Sequence, residues 1–422
     1  MIQTVVASIR TPTLELLKEL ITFVKVNLKP LAQERTMLYN IVLVQASNLL
    51  HRACIAPTRV LAFPVNVYGQ FCTPTSEPIA QWIEFLKQEL VGEQNQQIKL
   101  NIVVALGKLG HVKAVEILKP IVTNVQYNEM VRSLAIYSLQ RVAVFNPTVV
   151  RPILMNIIEN IAERPEVRIA AVAVLPYAQP TIAELKMIAV RYSCNDYSLY
   201  SFYRSFCNYF MLSFIYKDAF YIFRTWLEPS KQVASFIYST LRSLAVTEVP
   251  ELKPVGVQVH NILTLVKPVV LNIQYAQNLH FTKLVNYLEM IVHQEMSWVA
   301  SPESFIPARM SVNALLYGQA YAVQGQAFTA YTRGMEKWID LIMKYTLKIK
   351  TSTQVQSQLK KITKELGIAK KPVVVPEIFA QYGLFDTEVT AYLNEPMIVE
   401  ALSQLADELN RDMQSLIGKN IF

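Results

Sequence analysis

Four stretches, 97-QIKLNIVVALGKLG-110, 130-MVRSLAIYSLQRVA-143, 166-EVRIAAVAVLPYAQ-179 and 232-QVASFIYSTLRSLA-245, can be laid over one another. The second residue of each is branched and apolar: Ile98, Val131, Val167 and Val233. Eight places on stand Leu106, Leu139, Leu175 and Leu241, and three further Leu109, Val142, Ala178 and Leu244. That spacing puts the three positions on one face of a helix. The stretches begin 33, 36 and 66 residues apart. A period in the thirties belongs to a helix-pair solenoid, in which each pair buries its apolar face only against its neighbours.

The interval of 66 contains a segment of different composition, Tyr192 to Phe223, with 13 aromatics in 32 positions. It lacks both the expected leucine and an aliphatic stripe at helical spacing, and removing it leaves an interval of 34. It reads as an insertion: an apolar loop, a membrane-touching hairpin, or translated non-coding sequence. The smooth join from Arg191 to Arg224 favours the last. Cys194 and Cys207 fall inside it.

Working outward, Thr13 to Val24 is an amphipathic helix, and Leu31 to Arg52 and Ser76 to Leu90 are two more. Gly110 stops the first repeat helix, whose partner is Lys113 to Val122; the later partners are Val149 to Ile161 and Thr181 to Val190. Pro250 and Pro254 mark a boundary, after which the period becomes two. Val269, Leu271, Ile273 and Tyr275 alternate with Val270, Asn272, Gln274 and Ala276, as in a strand with one apolar face. A longer strand-like pattern runs from Val312 to Tyr331. Helices are expected at Gly334 to Leu347, Thr351 to Gly367 and Pro396 to Ile417. The chain stops at Phe422 without a closing element, as in a truncated protein.

Apolar residues make up 52% and charged residues 17%, below the usual quarter, with mean hydropathy +0.25. No clean apolar run reaches the roughly 20 residues of a membrane helix. The excess apolar surface therefore lines an interior or faces lipid. The net charge of +8 is scattered and carries no nucleic-acid motif, so no nucleic-acid partner is expected. Cys54 and Cys72 flank an irregular stretch containing Pro and Gly, which suits a loop-closing disulfide, two buried free thiols being the alternative. Met1 to Arg10 has no secretory signal, and the sequon at Asn146 is blocked by Pro147.

Signatures of catalysis are absent: no nucleophile elbow, no phosphate loop, no zinc helix and no dinucleotide fingerprint. Ser357 and Lys360 match SxxK only in isolation. His51, His111, His260, His280 and His293 show no metal-ligand spacing and read as structural or surface residues. Trp298 and the other tryptophans read as core or interface anchors. Neither catalytic nor metal-binding residues are expected, and no cofactor beyond bound lipid.

Several stretches resemble the large lipid transfer proteins, and within them the vitellogenins of insects. They are 47-SNLLHRAC-54 with 63-FPVNVYGQFC-72, 105-ALGKLGH-111, 165-PEVRIAAVAVL-175, 232-QVASFIYSTLRSL-244, and 298-WVASPESFIP-307 followed by strands and 334-GMEK-337. The resemblance covers roughly Ser47 to Leu347 and departs from the family's pattern by having no N-terminal β-barrel, signal peptide, polyserine region, second large sheet or von Willebrand-type domain. It implies an α+β multidomain chain in which an α-α superhelix precedes an antiparallel β-sheet of a lipid-binding cavity. The expected division is 1–250 superhelix, 255–350 cavity sheet and 351–422 polar, helical segment. It implies lipid transport and yolk nutrient storage without catalysis, with phospholipid and neutral lipid bound. It further implies secretion, an oocyte lipoprotein receptor acting through regions absent here, and a homodimer of the full-length protein. Expected lipid-lining residues are Val269, Leu271, Ile273, Val312, Ala314 and Leu316. Strand parity alone does not say which side is oily, and packing on protein is the alternative. The rival classes are an intracellular helical-repeat scaffold for proteins, and another lipid transfer protein of the microsomal or apolipophorin-like kind.

Overall fold

The repeats fold as helices in two layers. The structure, a computed structural model, describes residues 9, 12–56, 71–193, 230–249, 252–265, 275–285, 290–300, 307–317, 322–334, 377–384, 387–394 and 397–398. Its first helices are α1 (Leu14–Phe23), α2 (Thr36–Leu50), α3 (Glu77–Gly92), α4 (Gln96–Leu109), α5 (Val112–Thr123) and α6 (Glu129–Ser138). There follow α7 (Gln140–Phe145), α8 (Pro147–Glu159), α9 (Pro165–Val174), α10 (Ile182–Ser193), α11 (Lys231–Leu244) and α12 (Lys253–Leu265). Helices α2, α4, α6, α9 and α11 stack side by side as an inner layer, and the alternate helices back them from outside.

Local chemistry sets these boundaries. The side chains of Asn95, Asn128 and Ser230 accept from the amides of Gln97, Val131 and Val233, capping α4, α6 and α11. Pro147 and Pro165 open α8 and α9 at the position where a missing N–H costs nothing. Gly110 ends α4 at φ +64°, a conformation that favours glycine. At Gly107 an added Cβ would lie 2.7 Å from Ser138 Cβ, so the close approach of α4 and α6 requires its missing side chain.

The repeat in the sequence is not a repeat of unbroken helices. The second stretch breaks at Leu139 into α6 and α7, and the third passes into a 3-10 turn, Leu175–Ala178, because Pro176 cannot continue an α-helix. The registered residues stay buried across both breaks. Inner helices are buried nearly all round: every residue of α9 from Val167 to Val174 is buried. A helix so enclosed must be covered on more than one side; here the outer layer covers one side and a sheet the other.

Two arginines at one repeat position tie the layers together. Arg132 Nε donates to the Val122 carbonyl at 2.9 Å, and Arg168 Nη2 to the Ile158 carbonyl at 2.9 Å, ten residues back in each case. Each satisfies a carbonyl in the last turn of the preceding outer helix, where a cation is favoured. Arg132 also grips the Glu163 carboxylate with both terminal nitrogens.

The sheet has six antiparallel strands in sequence order: β1 (Ala276–Val285), β2 (Met290–Ala300), β3 (Pro307–Tyr317), β4 (Ala322–Arg333), β5 (Glu377–Leu384) and β6 (Thr387–Leu393). The superhelix followed by an antiparallel sheet is the fold class expected from the sequence. The strand-like run 312–331 falls on β3 and β4, which pair antiparallel. Two details differ. Segment 351–422, read as polar and helical, contributes β5 and β6, whose short alternations were missed. The span 255–350, read as sheet, opens with most of α12, packed on α10 and α11. The strand expected from Val269 lies outside the described residues up to 274. So do the aromatic segment from 194 to 223, the helix from 335 to 347, the helix at 351–367, and all but 397–398 of the last one.

Candidate functional site

Strand register sorts the side chains onto two faces of opposite character. On one face the neighbours across β1, β2 and β3 are Asn278, Ser297 and Ser311, then His280, Glu295 and Asn313. The same face continues through Arg309, Tyr331, Phe379 and Tyr392, and through Thr329, Gln381 and Thr390. This mostly polar face lies against the inner helices. Ser239 Oγ accepts from the Asn278 amide at 2.8 Å, and the Ser243 hydroxyl donates to the Asn278 carbonyl at 3.0 Å. Arg333 Nε donates to Glu129 at 3.0 Å, Asn128 Nδ2 donates to Glu377 at 3.3 Å, and Lys108 pairs with Glu388 at 2.7 Å. The Thr390 hydroxyl donates to Asn101 Oδ1.

Arg309 is a half-buried charge of this interface. Its guanidinium lies 3.9 Å from the Tyr137 ring centre, and its Nη1 donates to Ser297 Oγ at 2.6 Å. Burial works against its charge, but the neighbouring phenols of Tyr137 and Tyr331 hold its pKa up. Burial in turn pushes both phenols above their ordinary value.

The other face is mostly apolar and open, with the exposed Gln294 and Lys283 among its polar members. It carries Leu279 and Phe281 on β1, Val292, Met296 and Trp298 on β2, Met310, Val312 and Ala314 on β3, and Phe328 and Ala330 on β4. Ile378, Ala380, Tyr382, Val389, Ala391 and Leu393 extend it to the last strand. Phe281, Met310 and Tyr382 are 53%, 41% and 42% exposed, while Met296, Trp298, Val312, Ala314 and Phe328 are half-buried. A soluble domain normally reverses this order, with its apolar face on the helices and its polar face outward. A contiguous apolar face of this extent marks a binding surface.

Of the expected lining residues, Val312 and Ala314 stand on the open face. Leu316 takes the same parity by pairing with Val292, its side chain lying outside the described ones. Val269, Leu271 and Ile273 lie outside the described residues. Residues that the sequence reading missed are Leu279, Phe281, Met296, Met310 and Tyr382. Trp298, read there as a core or interface anchor, also belongs to the open face. The signal was present in β2, where Val292, Met296 and Trp298 alternate with His293, Glu295 and Ser297.

Cys54 and Cys72 are joined in a disulfide, with Cα atoms 4.5 Å apart. Among the described residues no cluster of three His, Cys, Asp or Glu could hold a metal ion, and no helix is long and apolar enough to cross a membrane.

Comparisons with known proteins point one way. The sequence profile of the vitellogenin TPR domain matches residues 1–196. Vitellogenin of Anthonomus grandis is 27% identical over 196 residues, 44% of this chain and 11% of that protein. Vitellogenin of Ichthyomyzon unicuspis is 25% identical over 233 residues, 53% of this chain and 11% of that protein. Vitellogenin-1 of Solenopsis invicta is 19% identical over 371 residues, 86% of this chain and 21% of that protein. The chain thus spans from 11% to 21% of the length of these relatives. A solved structure described as lipid–protein interactions in lipovitellin superposes with a TM-score of 0.65 at 19% identity, over 97% of this chain and 36% of that one.

Proposed function

We propose, for a chain that is vitellogenin-like and of the large lipid transfer proteins, that the open face of its sheet binds lipid acyl chains without catalysis. The observation that carries this reading is the inverted sheet. Polar residues occupy the protein interface, and Phe281, Met296, Trp298, Met310 and Val312 occupy the side turned away from it. Each methylene moved from water onto such a face contributes about 0.8 kcal/mol, so chains of phospholipid and neutral lipid are held with little selectivity for head group. The superhelix acts as a curved backing that keeps six strands spread into one platform.

Lipid carriage, secretion and yolk storage are the setting this reading supplies, with uptake by an oocyte receptor and dimerisation belonging to the whole protein. The Cys54–Cys72 disulfide agrees with an oxidising compartment. The test is quenching of tryptophan fluorescence in the full chain by phospholipid carrying bromine on its acyl chains. Trp298 sits on the open face, whereas Trp82 is buried in the superhelix with its indole N–H donating to Ser47. Quenching that disappears in W298F supports the proposal. Equal quenching in W298F, together with no lipid in a solvent extract of the purified chain, refutes it.

A further inference from the structure

Two histidines are buried where the sheet meets α11, and the lipid reading gives them no task. His280 on β1 and His293 on β2 are diagonal neighbours on the polar face, with ring centres 5.3 Å apart. His293 is 1% exposed and His280 is 7% exposed. Among the described residues neither ring nitrogen of His280 has a hydrogen-bond partner, although its Nε2 lies 4.0 Å from a Glu295 oxygen. His293 Nδ1 lies 3.3 Å from the Thr282 hydroxyl. Two residues before His280, Asn278 makes the hydrogen bonds to Ser239 and Ser243 that hold β1 to α11.

We propose that this imidazole pair makes the junction between α11 and the β1–β2 ribbon labile to acid, so that protonation lifts the ribbon from the inner helical layer. The charge balance around the pair explains why. Among the described residues the charged group acting on both imidazoles is Glu295 on β2, and Glu295 in turn lies near Arg309 on β3, which sits between Tyr331 on β4 and Tyr137 from α6. Among the described residues the side chains of α11 that hydrogen-bond β1 are the Ser239 and Ser243 hydroxyls, and its charged residues Lys231 and Arg242 are exposed; Lys253 and His260 of α12 are exposed as well. With both phenols neutral, Glu295 offsets Arg309 among the described residues. The junction is neutral while both imidazoles are neutral, and holds two uncompensated positive charges when both are protonated. One proton could be shared between His280 and Glu295. Among the described residues the second has no carboxylate to offset it, only the Thr282 hydroxyl, and it sits beside the first.

The pH window follows from the direction of the shifts. Burial pushes His280 below the ordinary histidine value. Burial, and then the adjacent His280, push His293 down to about 4. A released imidazole takes up its proton near pH 6.5 while the docked one does not. The junction is therefore unaffected above about pH 6.5 and loosens as the pH falls from there toward about 4. At about pH 5 the equilibrium for opening rises about 30-fold from His293 alone, and further from His280. This inference stands whether or not the opposite face carries lipid, because it concerns only the face docked on α11.

The test is hydrogen exchange on the full chain at about pH 7 and about pH 5, corrected for the intrinsic pH dependence of exchange. Protection of α11 and of the β1–β2 ribbon should fall about 30-fold or more, while α3, remote from the pair, keeps its protection. In the double variant H280Q/H293Q that fall should vanish. The proposal is overturned if wild type loses no protection, or if the double variant loses as much. Carbon-13 NMR of labelled histidines in wild type decides the matter independently of whether the variant folds. A pair that titrates near 6.5 overturns the proposal, and a pair that stays neutral until well below it sustains it.

Discussion

Adjacent residues of β3 should respond in opposite ways to one charge. Ser311 is 2% exposed, lies 3.1 Å from the Ser297 hydroxyl, and shares the helix-facing side with Arg309. Val312, the next residue, is half-buried on the open side. In S311K an ammonium enters a closed interface that already holds the Arg309 guanidinium, and among the described residues the one carboxylate diagonal to it, Glu295, already faces that guanidinium. An unpaired buried charge costs on the order of 3–5 kcal/mol. In V312K the lysine can run its stem along the apolar face and keep its head in water. The remaining cost is lost strand propensity and apolar contact, about 1 kcal/mol. Under acyl chains the same lysine is expensive, about 3 kcal/mol for a cation in hydrocarbon, or roughly a hundred-fold in lipid affinity. Chemical denaturation of the full chain, followed by circular dichroism, measures the first quantity; titration with fluorescent phospholipid measures the second. S311K should lower stability several-fold more than V312K, and V312K should lose lipid while keeping the fold. If V312K is as destabilising as S311K in lipid-free protein, the open face is packed on protein and the assignment of faces is wrong.

Three further outcomes are expected. Replacing both Cys54 and Cys72 by serine should lower stability by about 3 kcal/mol, the loop-entropy value for a crosslink of this span, read as a shift in urea midpoint. Arg168→Ala should cost about 3 kcal/mol, since it leaves the Ile158 carbonyl without its guanidinium and a gap between the layers; an unchanged midpoint would show that the arginine does not tie the pairs together. Deleting Tyr192 to Phe223 should leave the helical circular dichroism per residue and the melting temperature little changed, because α9 and α11 already stack as direct neighbours in the inner layer. A chain that fails to fold without those 32 residues would make the segment part of the solenoid.

The helical half was readable from the chain alone because its signal is local. Ile98, Leu106 and Leu109 and their counterparts lie within one helix, and the asparagine caps, Gly110 and the prolines act within a turn of where they stand. The breaks at Leu139 and Pro176 altered the helices without moving those residues out of the core. The sheet was harder. Alternation at Val312, Ala314 and Leu316 says that two faces exist, and a period of two is the same whichever face is buried. The pairing of β3 with β4, and of β5 with β4 and β6, is not written in the alternation of any one strand. Which face turns to the helices was settled only by contacts such as Ser239 with Asn278 and Arg333 with Glu129, residues 39 and 204 positions apart. The same holds for His280 and His293, unremarkable in the sequence and joined only by strand pairing. Helical periodicity is a property of one segment, whereas the identity of a sheet's wet, dry or oily side is a property of what is brought against it.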